Sequence, residues 1–144
     1  MTLIFGLSVC FGAGCGSVDP GVGEGGGTLD YNVFKANIQP ILDGRGCSNS
    51  NCHYRDKNNP NNGGPGGSFH VFNCTVDLCT EDEYRANFDS ASGFTNIPNP
   101  TDSKLLLKPL AVSAGGIQHL GGDIFLNTTD PDYLAILGWI QSPL

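Results

Sequence analysis

Residues 44–53 read Gly44-Arg45-Gly46-Cys47-Ser48-Asn49-Ser50-Asn51-Cys52-His53. Two cysteines enclose four small polar residues, and a histidine directly follows the second. Ser48, Asn49, Ser50 and Asn51 suit an exposed bulge. The glycines on either side of Arg45 force a turn ahead of it. Upstream, Tyr31, Phe34, Ile38 and Ile41 recur at helical spacing. Asp30 is placed to cap that helix, and Pro40 should kink or end it near its last turn. Downstream, Lys57 to Gly67 is loop by composition, and Phe69-His70-Val71-Phe72 has the look of a short strand. A helix starts at Thr80, where Thr80 and Glu83 have capping-box spacing and Tyr84 and Phe88 share a face. Ser103 to Leu107 predicts a short helix that Pro109 stops. The last element is the clearest: Asp130 at the N-cap, Pro131 in the first turn, and a stripe of Tyr133, Ile136, Leu137 and Ile140 that Trp139 extends. The expected fold is mostly α, with a helix at each end and long Gly/Asn-rich loops between. No internal repeat is visible, which argues against a solenoid.

The chain has 144 residues, enough for one domain. Its 14 acids against 7 bases give a net charge of −7. Nucleic acid requires the opposite sign and is excluded as a partner. There are 6 cysteines, 3 histidines and a single methionine, Met1, so no internal methionine can bind a metal. A small, glycine-rich domain needs a staple, and Cys or His can supply it. No paired carboxylates and no Ser/His/Asp arrangement mark a substrate site, so a non-enzymatic role is expected.

The amino terminus has its own pattern. Residues 3–14 are apolar and too short for a membrane-spanning helix of about 20 residues. They fit the hydrophobic part of a secretory signal over residues 1–14, with a plain cleaved signal peptide or a disordered tail as the other readings beside the lipid-anchored one. Gly12-Ala13-Gly14-Cys15 resembles a bacterial lipobox, which implies an acylated Cys15 and a lipid anchor in a membrane. Residues 15–29 read as a flexible glycine-rich tether, and 30–144 as the folded domain. The expected location is the periplasm or cell surface.

The spacing Cys47-x4-Cys52-His53 is close to Cys-x-x-Cys-His, the attachment motif of c-type haem. In that motif two thiols add across the haem vinyl groups, and the adjacent imidazole reaches the iron. The adjacency of Cys52 and His53 is kept, while the loop between the thiols is longer by two residues. The surrounding segments extend the likeness. Phe34…Ile38-Gln39-Pro40-Ile41-Leu42…Gly46-Cys47, Ser103-Lys104-Leu105-Leu106-Leu107-Lys108-Pro109, His119-Leu120-Gly121-Gly122 and Tyr133…Leu137-Gly138-Trp139-Ile140 occur in order. Together they resemble secreted bacterial cytochrome c domains of the planctomycete type. Leu120 departs from the family's His-Gly-Gly-Gly.

The resemblance implies a small class I-like cytochrome c fold with packed terminal helices and one covalent haem c. It implies attachment through Cys47 and Cys52, His53 as the proximal iron ligand, and His119 as the distal one. The residues around His119 agree, because Gly115-Gly116 and Gly121-Gly122 let backbone approach a flat macrocycle. His70, which follows Gly66-Gly67, is the competing sixth ligand; a solvated His70 and an open iron are the other readings. Two axial histidines imply electron transfer with redox partner proteins, at a lower potential than His/Met ligation. Arg45, Lys104 and Lys108 are candidates for haem propionates or for nearby acids.

Cys74 and Cys79 lack a following histidine. In an oxidising compartment they are expected to form a local disulfide. The competing readings are a four-cysteine zinc site made of Cys47, Cys52, Cys74 and Cys79, or a disulfide-stapled surface binding module without metal.

Overall fold

The computed structural model of the chain describes residues 28–59 and 61–144. Cys10, Cys15, the signal-like segment and most of the tether lie outside the described residues. The folded part begins slightly earlier than expected: Leu29 is buried in the core, and the Thr28 carbonyl accepts the Leu144 N–H. Among the described residues the structure is mostly helical. Its only strand-like pairings are isolated bridges at Tyr54–Val71, Arg55–Gly63 and Leu110–Phe125.

The chain enters through one continuous helical rod. It comprises α1 (Tyr31–Val33), a π-helical turn (Phe34–Ile38) and α2 (Gln39–Gly44). The Asp30 carboxylate accepts the Asn32 and Val33 N–H groups, as the sequence predicts. Pro40 does not end the helix. A proline lacks an N–H, and its ring crowds the carbonyl four residues back. The backbone relieves this by widening one turn earlier, where the Gln39 N–H bonds the Phe34 carbonyl five residues back. The helix then continues to Gly44 and delivers the chain into the cysteine loop.

Three further helices close around this rod: α3 (Glu81–Ser92), α4 (Lys104–Leu107) and α5 (Pro131–Gln141). Thr80 and Glu83 form the capping box in full, and Asp130 caps α5. The terminal helices pack on each other as expected. Phe34 and Trp139 rings lie 5.5 Å apart, and the Trp139 indole N–H donates to the Asp30 carbonyl at 2.9 Å. Phe88 of α3 meets Phe34 edge-on at 5.5 Å. Phe34, Ile38, Leu106, Ile136 and Ile140 are fully buried. At roughly 1.5–3 kcal/mol for each large apolar side chain, this junction dominates the fold.

The segment Phe69–Phe72 is not a strand. Phe69, Val71 and Phe72 are all buried, so there is no in-out alternation. Its backbone groups find loop and side-chain partners instead. Val71 N–H donates to the His53 carbonyl, and the Val71 carbonyl accepts the Arg55 N–H. His70 N–H donates to Ser90 Oγ, and Phe72 N–H to Asn87 Oδ1. With these groups satisfied inside the molecule, no neighbouring strand is required.

Candidate haem pocket

A cavity of about 840 Å³ opens between the cysteine loop, α4 and the loop that precedes α5. Cys47, Cys52 and His53 line one side and His119 the other, over an apolar floor that includes Leu42, Phe69, Phe94, Leu105, Phe125 and Ile136. The turn of residues 46–53 is made by backbone bonds from Cys47 N–H to the Leu42 carbonyl, Cys52 N–H to that of Asn49, and His53 N–H to that of Cys47. Cys47 and Cys52 are half-buried free thiols. Burial, and next the neighbouring Cys52, push the Cys47 thiol up to about 11.

His53 is held at three points. Its N–H and carbonyl are bonded to the Cys47 carbonyl and the Val71 N–H. Its Nδ1 lies 2.9 Å from the Phe69 carbonyl oxygen. A carbonyl only accepts, so Nδ1 carries the proton and Nε2 keeps its lone pair. Burial, and after it the nearby His119, hold the His53 imidazole below its ordinary pKa, although the bond to the Phe69 carbonyl acts the other way and favours the charged ring. Gly66 makes room for this ring, since a Cβ there would fall 2.1 Å from His53 Nδ1.

His119 mirrors this arrangement. Its Nδ1 faces the Gly122 carbonyl oxygen at 3.3 Å, so that nitrogen is the donor and Nε2 is the one without a backbone partner. A Cβ on Gly121 would fall 2.8 Å from His119 Cε1. The loop is pinned by Ile117 N–H on the Leu107 carbonyl and by Lys108 Nζ on the Gln118 carbonyl. The His53 and His119 rings lie 5.9 Å apart and within 9° of parallel.

His70 is not part of this pair. It does not line the cavity, and its Nε2 bonds the Gly64 carbonyl at 3.0 Å, so that nitrogen carries the proton. Nor is it a solvated side chain: the ring is half-buried against the 63–64 backbone.

The charges around the cavity are one-sided. Arg45, Lys104 and Lys108 line it, and no carboxylate does. Arg45 is committed elsewhere, to Asp130 at 2.9 Å and Asp132 at 2.6 Å on the first turn of α5. Lys35, Lys57 and Arg85 pair with Glu81 or Glu83, and Arg55 lies over the Phe72 ring. Among the described residues, Lys104 and Lys108 are thus the cations with neither a carboxylate nor an aromatic partner, and both face this cavity.

The bulge between the cysteines differs from expectation at one residue. Asn49, Ser50 and Asn51 are exposed, but Ser48 is 1% exposed and turned inward. Its partner is Asp43, a buried carboxylate in the last turn of α2. Neither residue stood out in the sequence; the i, i+4 pair of Gln39 and Asp43 was the one available signal. The Phe69 carbonyl left no sequence signal at all, because every residue carries one.

Cys74 and Cys79 are joined as a disulfide, as expected. They therefore offer no thiolates to a four-cysteine zinc site. Among the described residues no group of three or more His, Cys, Asp or Glu is arranged to hold a metal ion. No described helix is long and apolar enough to cross a membrane. Comparison with known proteins adds no relative: no family model, curated protein or solved structure matches the chain.

Proposed function

We propose that this chain is a monohaem c-type cytochrome that transfers electrons, with haem c held through Cys47 and Cys52 and ligated by His53 and His119. The observation that carries this reading is the parallel histidine pair. Both rings turn Nδ1–H to a backbone carbonyl, which leaves Nε2 as the nitrogen available to a metal. The near-parallel rings, with centroids 5.9 Å apart, leave room between them for one metal held through bonds of about 2.0 Å. A bare zinc ion needs three or four protein ligands. Two suffice only where a macrocycle supplies the remainder, which is the situation of haem iron.

The rest of the cavity suits the same group. It is large, apolar and free of carboxylates, and two thiols adjoin His53. Lys104 and Lys108 stand one helical turn apart at its edge, placed to take a pair of carboxylates. Bound there, haem would supply an iron that gains and loses one electron. The protein's part is to anchor, orient and shield. The Phe69 carbonyl orients His53, the Gly122 carbonyl orients His119, and the apolar floor keeps the site at low dielectric. Held by His53 and His119 together, the iron would offer no open position to a substrate, which fits a carrier rather than an enzyme. The resemblance of residues 31–141 to planctomycete-type cytochrome c domains supports the same reading. So does the disulfide, which suits the oxidising compartment in which such domains reside. Anchoring through an acylated Cys15 at the periplasmic or outer surface, and electron exchange with redox partner proteins, complete the proposal.

The test is expression in a host that matures c-type haem. The expected product keeps its Soret band after denaturation and acid extraction and shows a six-coordinate low-spin iron. His119→Ala should convert that iron to high spin or open it to carbon monoxide. A colourless wild-type protein would reject the proposal, and an unchanged low-spin spectrum in His119→Ala would reject the distal assignment.

A further inference from the structure

Asp43 is an unusual residue in its place. It lies in the last turn of α2, where the helix dipole disfavours a negative charge, and it is only 9% exposed. Among the described residues no Lys, Arg or His forms an ion pair with it. A buried carboxylate without a cation is costly unless its lone pairs are filled. Here four donors fill them, and they come from three separate segments. Oδ1 accepts Gln39 Nε2 at 3.1 Å, from the same helix, and Ser48 Oγ at 2.7 Å, from the cysteine loop. Oδ2 accepts Cys74 N–H at 3.1 Å and Thr75 Oγ1 at 3.2 Å, both from the disulfide-closed loop. Ser48 Oγ in turn accepts Asn73 Nδ2 at 2.9 Å.

The Asn73 carboxamide oxygen also gathers the Thr75 and Val76 N–H groups, so the disulfide loop is folded around the same point. Ser48 is the one inward-facing residue of the four between Cys47 and Cys52. It therefore fixes the longer loop directly beside the first thiol.

We infer that Asp43 is a positioning residue for the Cys47–Cys52 loop, with Ser48 as its handle and the Cys74–Cys79 loop as its abutment. The inference rests on reading Cys47 and Cys52 as the haem-attachment pair. In this arrangement the two extra residues between the cysteines do not slacken the loop. They supply a side chain that locks it to a rigid neighbour, and the disulfide makes that neighbour rigid.

The experiment uses the full chain matured with haem. Ser48→Ala, Asp43→Asn and the double variant Cys74→Ser/Cys79→Ser are compared with wild type in two measurements. The first is amide hydrogen exchange resolved by segment. Residues 47–52 are expected to exchange about tenfold faster or more in Ser48→Ala and in the disulfide-free variant, with α5 unchanged. The second is alkylation in denaturant followed by mass measurement, which counts chains in which one of the two attachment thiols stayed free. That fraction is expected to rise in the same variants, which a general loss of stability without loop displacement would not produce. Asp43→Asn places an amide donor against existing donors and should be the most severe. Should it fail to fold, Ser48→Ala and the disulfide-free variant decide the matter. Exchange at 47–52 unchanged in both of these would overturn the positioning role. A wild-type chain without haem would reject the cytochrome reading instead. The exchange comparison needs no haem signal and so reports separately.

Discussion

The rod that ends at Gly44 separates two buried regions of opposite character. On one side Gln39, Asp43, Ser48, Asn87 and Asn73 form a saturated polar network. Asn87 alone donates to Gln39 and to the Phe72 carbonyl while accepting the Phe72 N–H. On the other side lies an apolar cavity of about 840 Å³ where two thiols and two imidazoles face a common space. The polar groups of the network are used up within the protein. Those of the cavity are held rigidly by their outer atoms and keep their inner atoms unspent. That difference separates a structural polar core from a candidate binding site. In the core, hydrogen bonding is completed by the chain; in the site it is completed only as far as orientation requires.

Breaking the cavity side should have the largest effect. On the proposed haem reading, His53→Ala should abolish the low-spin iron signal altogether, seen by EPR, with a denaturing gel haem stain reporting attachment through the cysteines. Gly66→Ala comes next. Its Cβ would sit 2.1 Å from His53 Nδ1, so the ring must move and the low-spin fraction should fall sharply. On the network side, Asn87→Ala should leave the spectrum intact but lower unfolding free energy by about 2–3 kcal/mol, because it orphans the buried Phe72 N–H and Gln39 Oε1. Denaturant titration of the matured protein reads this, and a spectral change as large as that of Gly66→Ala would erase the contrast.

The smallest effect concerns Glu83. Burial raises its pKa, but the Thr80 N–H and Lys57 outweigh burial and hold it below the usual carboxylate range. Its folded pKa is therefore below its unfolded one. The associated stability is present above the unfolded pKa of about 4.3 and is lost as pH falls through the folded value. Glu83→Gln should flatten that acid limb by a few tenths of a kcal/mol. An unaltered pH profile between neutral and acid would show that the capping box contributes nothing there.

Much of this was legible in the residues themselves. The caps at Asp30, Thr80 and Asp130 depend on neighbours three residues away or fewer, and all three formed. The stripe on α5 and the Cys74–Cys79 pairing were equally local and equally readable. Pro40, expected to kink or end the helix, does not end it; the distortion it imposes is a widened turn at Phe34–Ile38, an option that depends on what packs around it. Phe69–Phe72 was misjudged because buried extended chain resembles strand until the source of its hydrogen bonds is known.

Local chemistry by itself determined the helix ends, the acidic balance, the loop content and the ligand-type residues, since each of these depends on residue identity and short spacing. Only the tertiary structure decided that His119 and not His70 stands parallel to His53. Only it turned Ser48 inward to Asp43, and only it left Lys104 and Lys108 without carboxylate partners beside the cavity. Those outcomes turn on which groups, dozens of residues apart in the chain, satisfy one another's hydrogen bonds and charges. Spacing along the sequence carries no record of that choice.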